Sequence, residues 1–228
     1  ITFAIDGFSG LEHNFPLPHV YDDVVQLAAR TRLAYTPTIL VNFGGPRAEH
    51  VFYIEEDPYN DPKVQRFIPY ENLAARSLRR RWFHPQEYVY EEIAASARRI
   101  LEAGGQVGVG SHGQLQGLAF HWEMRALASG GMTPAQVLRS ATLMGAEMLG
   151  IGQDVGSIET GKLADLLVLD KNPLDDLTHT EALHWVMRGG EIYAAASLDQ
   201  VWPEQQALAP QWWQNRELPG FVKGGTQP

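Results

Sequence analysis

The chain has 228 residues, 44% of them hydrophobic and 20% charged, the balance of a folded chain with a buried core and not of a disordered one. Its 18 Lys and Arg stand against 27 Asp and Glu, a formal charge of -9, and an acidic surface of that kind argues against a nucleic-acid partner. With no cysteine there can be no disulfide, thiolate nucleophile or zinc finger, and no apolar run reaches the roughly 20 residues needed to span a bilayer.

Phe8–His13 is short, apolar and closed by turn formers, so it reads as a strand. Val20, Val24, Leu27, Ala28 and Thr31 then share one helical face. Asp22 and Asp23 lie in the first turn of that helix and Arg30 and Arg32 in the last, where each sign complements the helix dipole. Ala34–Val41, rich in Thr, Ile, Leu and Val, is expected as a second strand. Asn42 to about Pro69 is loaded with Gly, Pro, Asp, Asn and Tyr and reads as a long irregular loop, of the kind that lines sites or forms lids. The run Arg79-Arg80-Arg81 reads as a solvated face or as partners for carboxylates.

Residues 85–103 resume a helix that presents Ile93, Ala97, Ile100 and Leu101 on one side, with Gly104 just past its end. Gln106–Gly110 is the third strand and Gly117–Ser129 the third helix. A fourth helix is expected from Thr133 to Gly150. Thr133 suits the N-cap, Pro134 the first helical position, and Gln136 the capping-box spacing. Strand and helix alternate three times, which is the pattern of parallel βαβ units and an α/β fold. After Gly156 the rhythm shortens. Ser157-Ile158, Leu166–Leu169, and Trp185–Arg188 with Glu191–Ala194 around Gly189-Gly190 read as short strands and a hairpin. The expected division is therefore 1–150 as the β/α part, 151–200 as a β-rich layer, and 201–228 as an extended tail. That tail carries Trp202, Trp212 and Trp213 among prolines and is expected to dock on a surface.

In parallel β/α architectures the chemistry sits where strands end. His13 closes the first strand and His112 follows the third, so two imidazoles on neighbouring strands could share one metal ion. On the third helix His121 could approach the same mouth, and Glu123 could act as an acid or base or brace a ligand; both are candidates to bind substrate, as is Tyr53, which in the long loop could line a substrate pocket. No nucleophile elbow, Walker loop or dinucleotide fingerprint is present, so serine-hydrolase, kinase and dehydrogenase readings have no support.

Several runs resemble the amidohydrolase superfamily: Gly108-Val109-Gly110-Ser111-His112, His121-Trp122-Glu123, Gly130-Gly131-Met132-Thr133-Pro134 with Ala141-Thr142, and the continuous stretch Gly156 to Asp170. The nearest branch is that of imidazolonepropionases and Xaa-Pro dipeptidases. Gln114 to Gly117 and the tail near Trp202 are similar to amidohydrolase domains fused behind a periplasmic β-propeller, which implies a periplasmic location, whereas the absence of cysteine is compatible with either cytoplasm or periplasm.

The resemblance implies the C-terminal part of a (β/α)8 TIM barrel, strands six to eight, plus strands of a small β-sandwich. It implies a divalent metal, zinc, and hydrolysis of a C–N bond in an amide, cyclic amide or peptide by metal-activated water. His13 matches the sixth-strand metal ligand. The eighth-strand place, where the family carries Asp in Gly-Thr-Asp, reads Gly110-Ser111-His112, so His112 is either a metal ligand or the catalytic base. The family's first-strand histidine pair and its fourth- and fifth-strand ligands have no counterpart here. The chain is therefore expected to form a homo-oligomer or to associate with a missing N-terminal part, and to be inactive alone. The alternative is a catalytically incomplete barrel module that serves as a scaffold.

Overall fold

The computed structural model describes residues 2–78 and 81–214, so Arg79, Arg80 and the end of the tail lie outside the described residues. A short helix α1 (Thr2–Ile5) leads into β1 (Gly10–Glu12), α2 (Asp22–Arg30) and β2 (Ala34–Thr36). Three helices, α3 (Glu49–Glu56), α4 (Pro62–Phe67) and α5 (Tyr70–Ser77), come next. They are followed by α6 (Tyr90–Glu102), β3 (Gln106–Val107), α7 (Leu118–Ser129), α8 (Pro134–Ala141) and α9 (Leu143–Met148). The described chain closes with β4 (Leu166–Leu169), β5 (Leu183–Arg188), β6 (Glu191–Ala194) and β7 (Gln200–Trp202).

The first three strands form one parallel sheet in the order β1-β2-β3, with Leu11 opposite Tyr35 and Tyr35 opposite Val107. Parallel neighbours need a crossover between them, and α2 and α6 are the helical parts of those crossovers. Tyr35 and Val107 are buried among Ile39, Leu40, Ile93, Ala97, Ile100, Trp122 and Leu127, which make up the core under the sheet. The strands are shorter than the sequence suggests. Ala34–Val41 is extended only as far as Thr36, because Thr38 turns into the left-handed region and Ile39–Val41 coils into a 3-10 turn. At the end of β3, a Cβ on Gly110 would stand 2.4 Å from the Thr36 methyl, so the two strand ends approach more closely than a side chain allows.

The expected irregular loop 42–69 is a correction: it holds α3 and α4, and α5 begins one residue later. The helices form because their aromatic residues find a partner far along the chain. Phe52 stacks on Trp122 with ring centroids 5.5 Å apart, and Tyr53 meets the same indole edge-on at 5.3 Å. The Trp122 Nε1–H donates to Glu56 at 2.6 Å, and Arg125 pairs with the same carboxylate. The single helix expected from Thr133 is two, broken at Thr142 (φ -127°, ψ -100°), although its capping box of Thr133 with Gln136 is present. Ser157-Ile158 is not a strand.

The β-rich part is one antiparallel meander, β4-β5-β6-β7, with the β5–β6 hairpin turning at Gly189 and Gly190, both at positive φ. Strand β7 extends this sheet across the expected boundary at residue 200. Beyond it, the Trp213 Nε1–H reaches the Arg66 carbonyl at 3.3 Å, so this stretch of the tail lies against α4. Among the described residues no helix is long and apolar enough to cross a membrane.

Candidate functional site

The segment that follows each strand of the parallel sheet holds a residue with an unusual backbone. His13 follows β1 at φ 73°, Thr38 follows β2 at φ 47°, and His112 follows β3 at φ 44°. The left-handed region costs a non-glycine residue about 1–2 kcal/mol, so three such residues at neighbouring strand ends mark a place where geometry outweighs stability. The His13 and His112 rings face each other with centroids 5.2 Å apart and planes at 62°. His13 is half-buried, and its Nδ1 lies 2.6 Å from the Thr38 hydroxyl. An Nδ1–H donating to that hydroxyl leaves the Nε2 lone pair for a metal, with the ring orientation fixed by the bond. Phe43 closes the other side of the His13 ring edge-on at 5.9 Å.

The supports of this pair come from distant elements. Asn14, buried next to His13, accepts from the Phe43 N–H at 2.9 Å and ties the loop after β1 to the segment after β2. Glu123 on α7 holds the turn after β2. Its two oxygens accept from the N–H groups of Ile39 (2.6 Å) and Leu40 (3.0 Å), the two residues that follow Thr38. Burial pushes its pKa up to about 8, against the lowering effect of those two donors. Glu123 is fully buried, so the expectation that it touches substrate is corrected: it braces the turn that carries Thr38.

His121 stands apart from the pair. Its Nδ1 is 2.9 Å from the Thr180 hydroxyl, and it lines a separate cavity of about 360 Å³ between α4, α7 and the antiparallel sheet. Burial lowers its pKa to about 4, with the nearby Lys63 acting in the same direction.

Beside His112, an open cavity of about 430 Å³ is lined by Arg76, Ser111, His112 and Gln114. It adjoins a larger cavity of about 1020 Å³, which also borders on Arg76 and Gln114 and reaches Arg47, Glu49, His50, Tyr53 and Arg81. Tyr53, expected to line a substrate pocket, is there on α3. Glu49 is a carboxylate that sequence reasoning missed. It is buried, accepts from the Gln114 N–H at 3.1 Å, and lies 3.7 Å from Arg47. Burial raises its pKa, and the Gln114 N–H and neighbouring positive groups oppose that shift. The only signal for it was its place in a Gly- and Pro-rich segment, which pointed to a loop.

The fit to a metal is partial. Two imidazoles converge, yet among the described residues no group of three or more His, Cys, Asp or Glu side chains lies close enough to hold an ion. A catalytic zinc takes three protein ligands, so this pair would supply two of such a set.

Residues 39–195 match the model of the Amidohydrolase family. An imidazolonepropionase of Shouchella clausii is 33% identical over 106 residues, which are 43% of this chain and 24% of that protein. Among solved structures, a Xaa-Pro dipeptidase with methionine in its active site aligns with a TM-score of 0.56 at 24% identity, over 84% of this chain and 41% of that one. An ochratoxinase of A. niger aligns with a TM-score of 0.56 at 19% identity, over 84% of this chain and 38% of that one. The chain thus spans less than half the length of the relatives it matches.

Proposed function

This chain belongs to the amidohydrolase family, and from that premise we propose that its parent protein hydrolyses a C–N bond, in an amide, cyclic amide or peptide, with the help of a divalent metal, zinc. The relatives support the bond type through their names, imidazolonepropionase and Xaa-Pro dipeptidase. In this reading β1–β3 are strands six to eight of a (β/α)8 barrel, and the antiparallel sheet is part of a small β-sandwich. A periplasmic location accompanies the resemblance to propeller-fused domains.

One observation carries the reading. His13, Thr38 and His112 lie one, two and five residues past three neighbouring parallel strands, all at positive φ, with the two rings 5.2 Å apart. That separation suits two imidazole nitrogens on one ion, since zinc–nitrogen bonds are about 2.0–2.1 Å. His13 and His112 would hold the cation from this chain, with the Thr38 hydroxyl fixing the His13 ring. A divalent cation held there supplies Lewis acidity, polarising the substrate carbonyl and acidifying water. Glu123 keeps the Thr38 turn in place, and the cavity beside His112 receives the substrate.

The test uses the full-length protein with a panel of dipeptides and cyclic amides, together with metal analysis. His13→Ala and His112→Ala are each expected to lose bound metal and to cut kcat/KM by at least about 100-fold. His112→Asp, which restores the usual family residue, should keep the metal. If His112→Ala keeps the metal and loses only rate, His112 is the base. Full activity in His13→Ala would place the site elsewhere, and no turnover of any panel compound by the unmodified full-length protein would favour a scaffold.

A further inference from the structure

Among the described residues two carboxylates are buried, Glu123 and Glu49. Glu123 directs both oxygens at the N–H groups of Ile39 and Leu40, next to the Thr38 whose hydroxyl meets the His13 ring. Glu49 stands in the same relation to the other histidine. It opens α3, far from β3 along the chain, yet its Oε2 accepts from the Gln114 N–H at 3.1 Å, two residues past His112.

The segment that carries His112 has few other ties. The Gly108 N–H makes the last bond to β2, donating to the Tyr35 carbonyl at 2.9 Å. Among the described residues, no backbone N–H from Val109 to Gly113 has a partner, and that of Gln114 is the next that does. The bond to Glu49 therefore fixes the C-terminal side of a loop in which His112 is held at φ 44°. A strained residue of this kind persists only where its surroundings over-determine it. Packing supplies part of that hold: Leu115 is fully buried, and a Cβ on Gly113 would stand 2.3 Å from the Ala119 methyl. Packing limits where the loop runs, and a directional bond to a carboxylate sets how it turns.

The cost of Glu49 points the same way. A buried carboxylate is unfavourable unless it is well paired. Its ion pair with Arg47 is long, at 3.7 Å, and the Arg47 side chain is 54% exposed, so water screens it. Arg76 and His112 lie near enough to act on its charge, which places the carboxylate beside the residue whose loop it holds.

We propose that Glu49 is a positioning residue for His112, holding residues 111–114 so that the His112 ring stays against that of His13. Glu123 and Glu49 then form a matched pair of braces, one for each histidine. The proposal rests on the hydrolase reading for what His112 does, but the brace itself can be measured without turnover.

Hydrogen exchange of the full-length protein, followed by mass spectrometry, reads the brace directly, because among residues 109–114 Gln114 alone has a bonded N–H. In Glu49→Ala that site should exchange at least about 10-fold faster, with peptides from α2 unchanged. Zinc affinity, measured by competition with a chelator, reads the consequence. Glu49→Ala should weaken zinc about 10-fold in the otherwise unmodified protein but less than about 2-fold in His112→Ala, since the brace acts through that ring. A merely structural role would weaken both alike. Glu49→Gln keeps an acceptor oxygen and should recover most of both effects. Glu49→Met, of similar length but without an acceptor, keeps the test open if the alanine variant misfolds. Unchanged exchange at Gln114 in a folded variant, or equal loss of zinc in the two backgrounds, overturns the proposal. Faster exchange with a zinc affinity that no His112 substitution changes supports the brace and counts against the ligand role of His112 alone.

Discussion

His112 is exposed and held at φ 44°, so it contributes little packing while its backbone is strained. Glycine takes this conformation freely, and the left-handed penalty it relieves is about 1–2 kcal/mol against up to about 1 kcal/mol of added chain entropy. His112→Gly should therefore raise the thermal midpoint by up to a few degrees while it removes the imidazole. His112→Ala keeps the strain and should give no such gain. A differential scan of the two variants separates them, and equal destabilisation by both would show that the positive φ carries no strain. The two histidines were legible in the sequence because each follows a strand with turn-forming neighbours. Thr38 was not, since it sat inside a run that reads as unbroken strand. Glu49 was hidden for a related reason: only the fold places it beside Gln114 and Arg47.

Between elements, Glu123 is the pin that joins α7 to the turn after β2. Its folded pKa of about 8 lies above the ordinary carboxylate value of 4.5, so the folded state holds a proton that the unfolded state releases. The stability this gives is complete below about pH 4.5 and is lost as pH rises through about 8. Over that window the slope should approach one proton equivalent, about 1.4 kcal/mol per pH unit at its steepest. Glu123→Gln, which cannot ionise, should flatten that part of the profile in urea titrations between pH 5 and 8. A profile unchanged by the substitution would assign the slope to other groups. Local signals made several elements readable: the Thr133–Gln136 capping box, the acidic first turn of α2 and the paired glycines of the β5–β6 hairpin. Helices α3 and α4 were not readable, because what stabilises α3 is the stacking of Phe52 and Tyr53 on Trp122, about 70 residues along the chain. The composition of residues 42–69 records their loops and hides their helices.

At the scale of the molecule, the parallel sheet offers two open sides. Among the described residues, β1 and β3 each pair only with β2. Backbone groups along such edges recruit further strands, and a parallel sheet is ordinarily covered on both faces. The antiparallel sheet adds an apolar surface: Val168, Trp185 and Trp202 share one face by register, and all are more than a third exposed. Contiguous exposed apolar area of this kind marks a surface that something covers. Net charge of -9 opposes close approach of copies, but at physiological salt its reach is only about 8 Å. The 228-residue chain prepared alone should therefore self-associate at micromolar concentration, which light scattering would register as a mass above 25.4 kDa. Charged substitutions on the sheet, Val168→Lys with Trp202→Glu, should shift the population toward monomer if this face is the one covered. If the parallel edges dominate instead, those substitutions should leave the mass unchanged. A monodisperse monomer of the unmodified chain would mean that neither surface drives association, and that the short strands and their twist are enough to protect the edges.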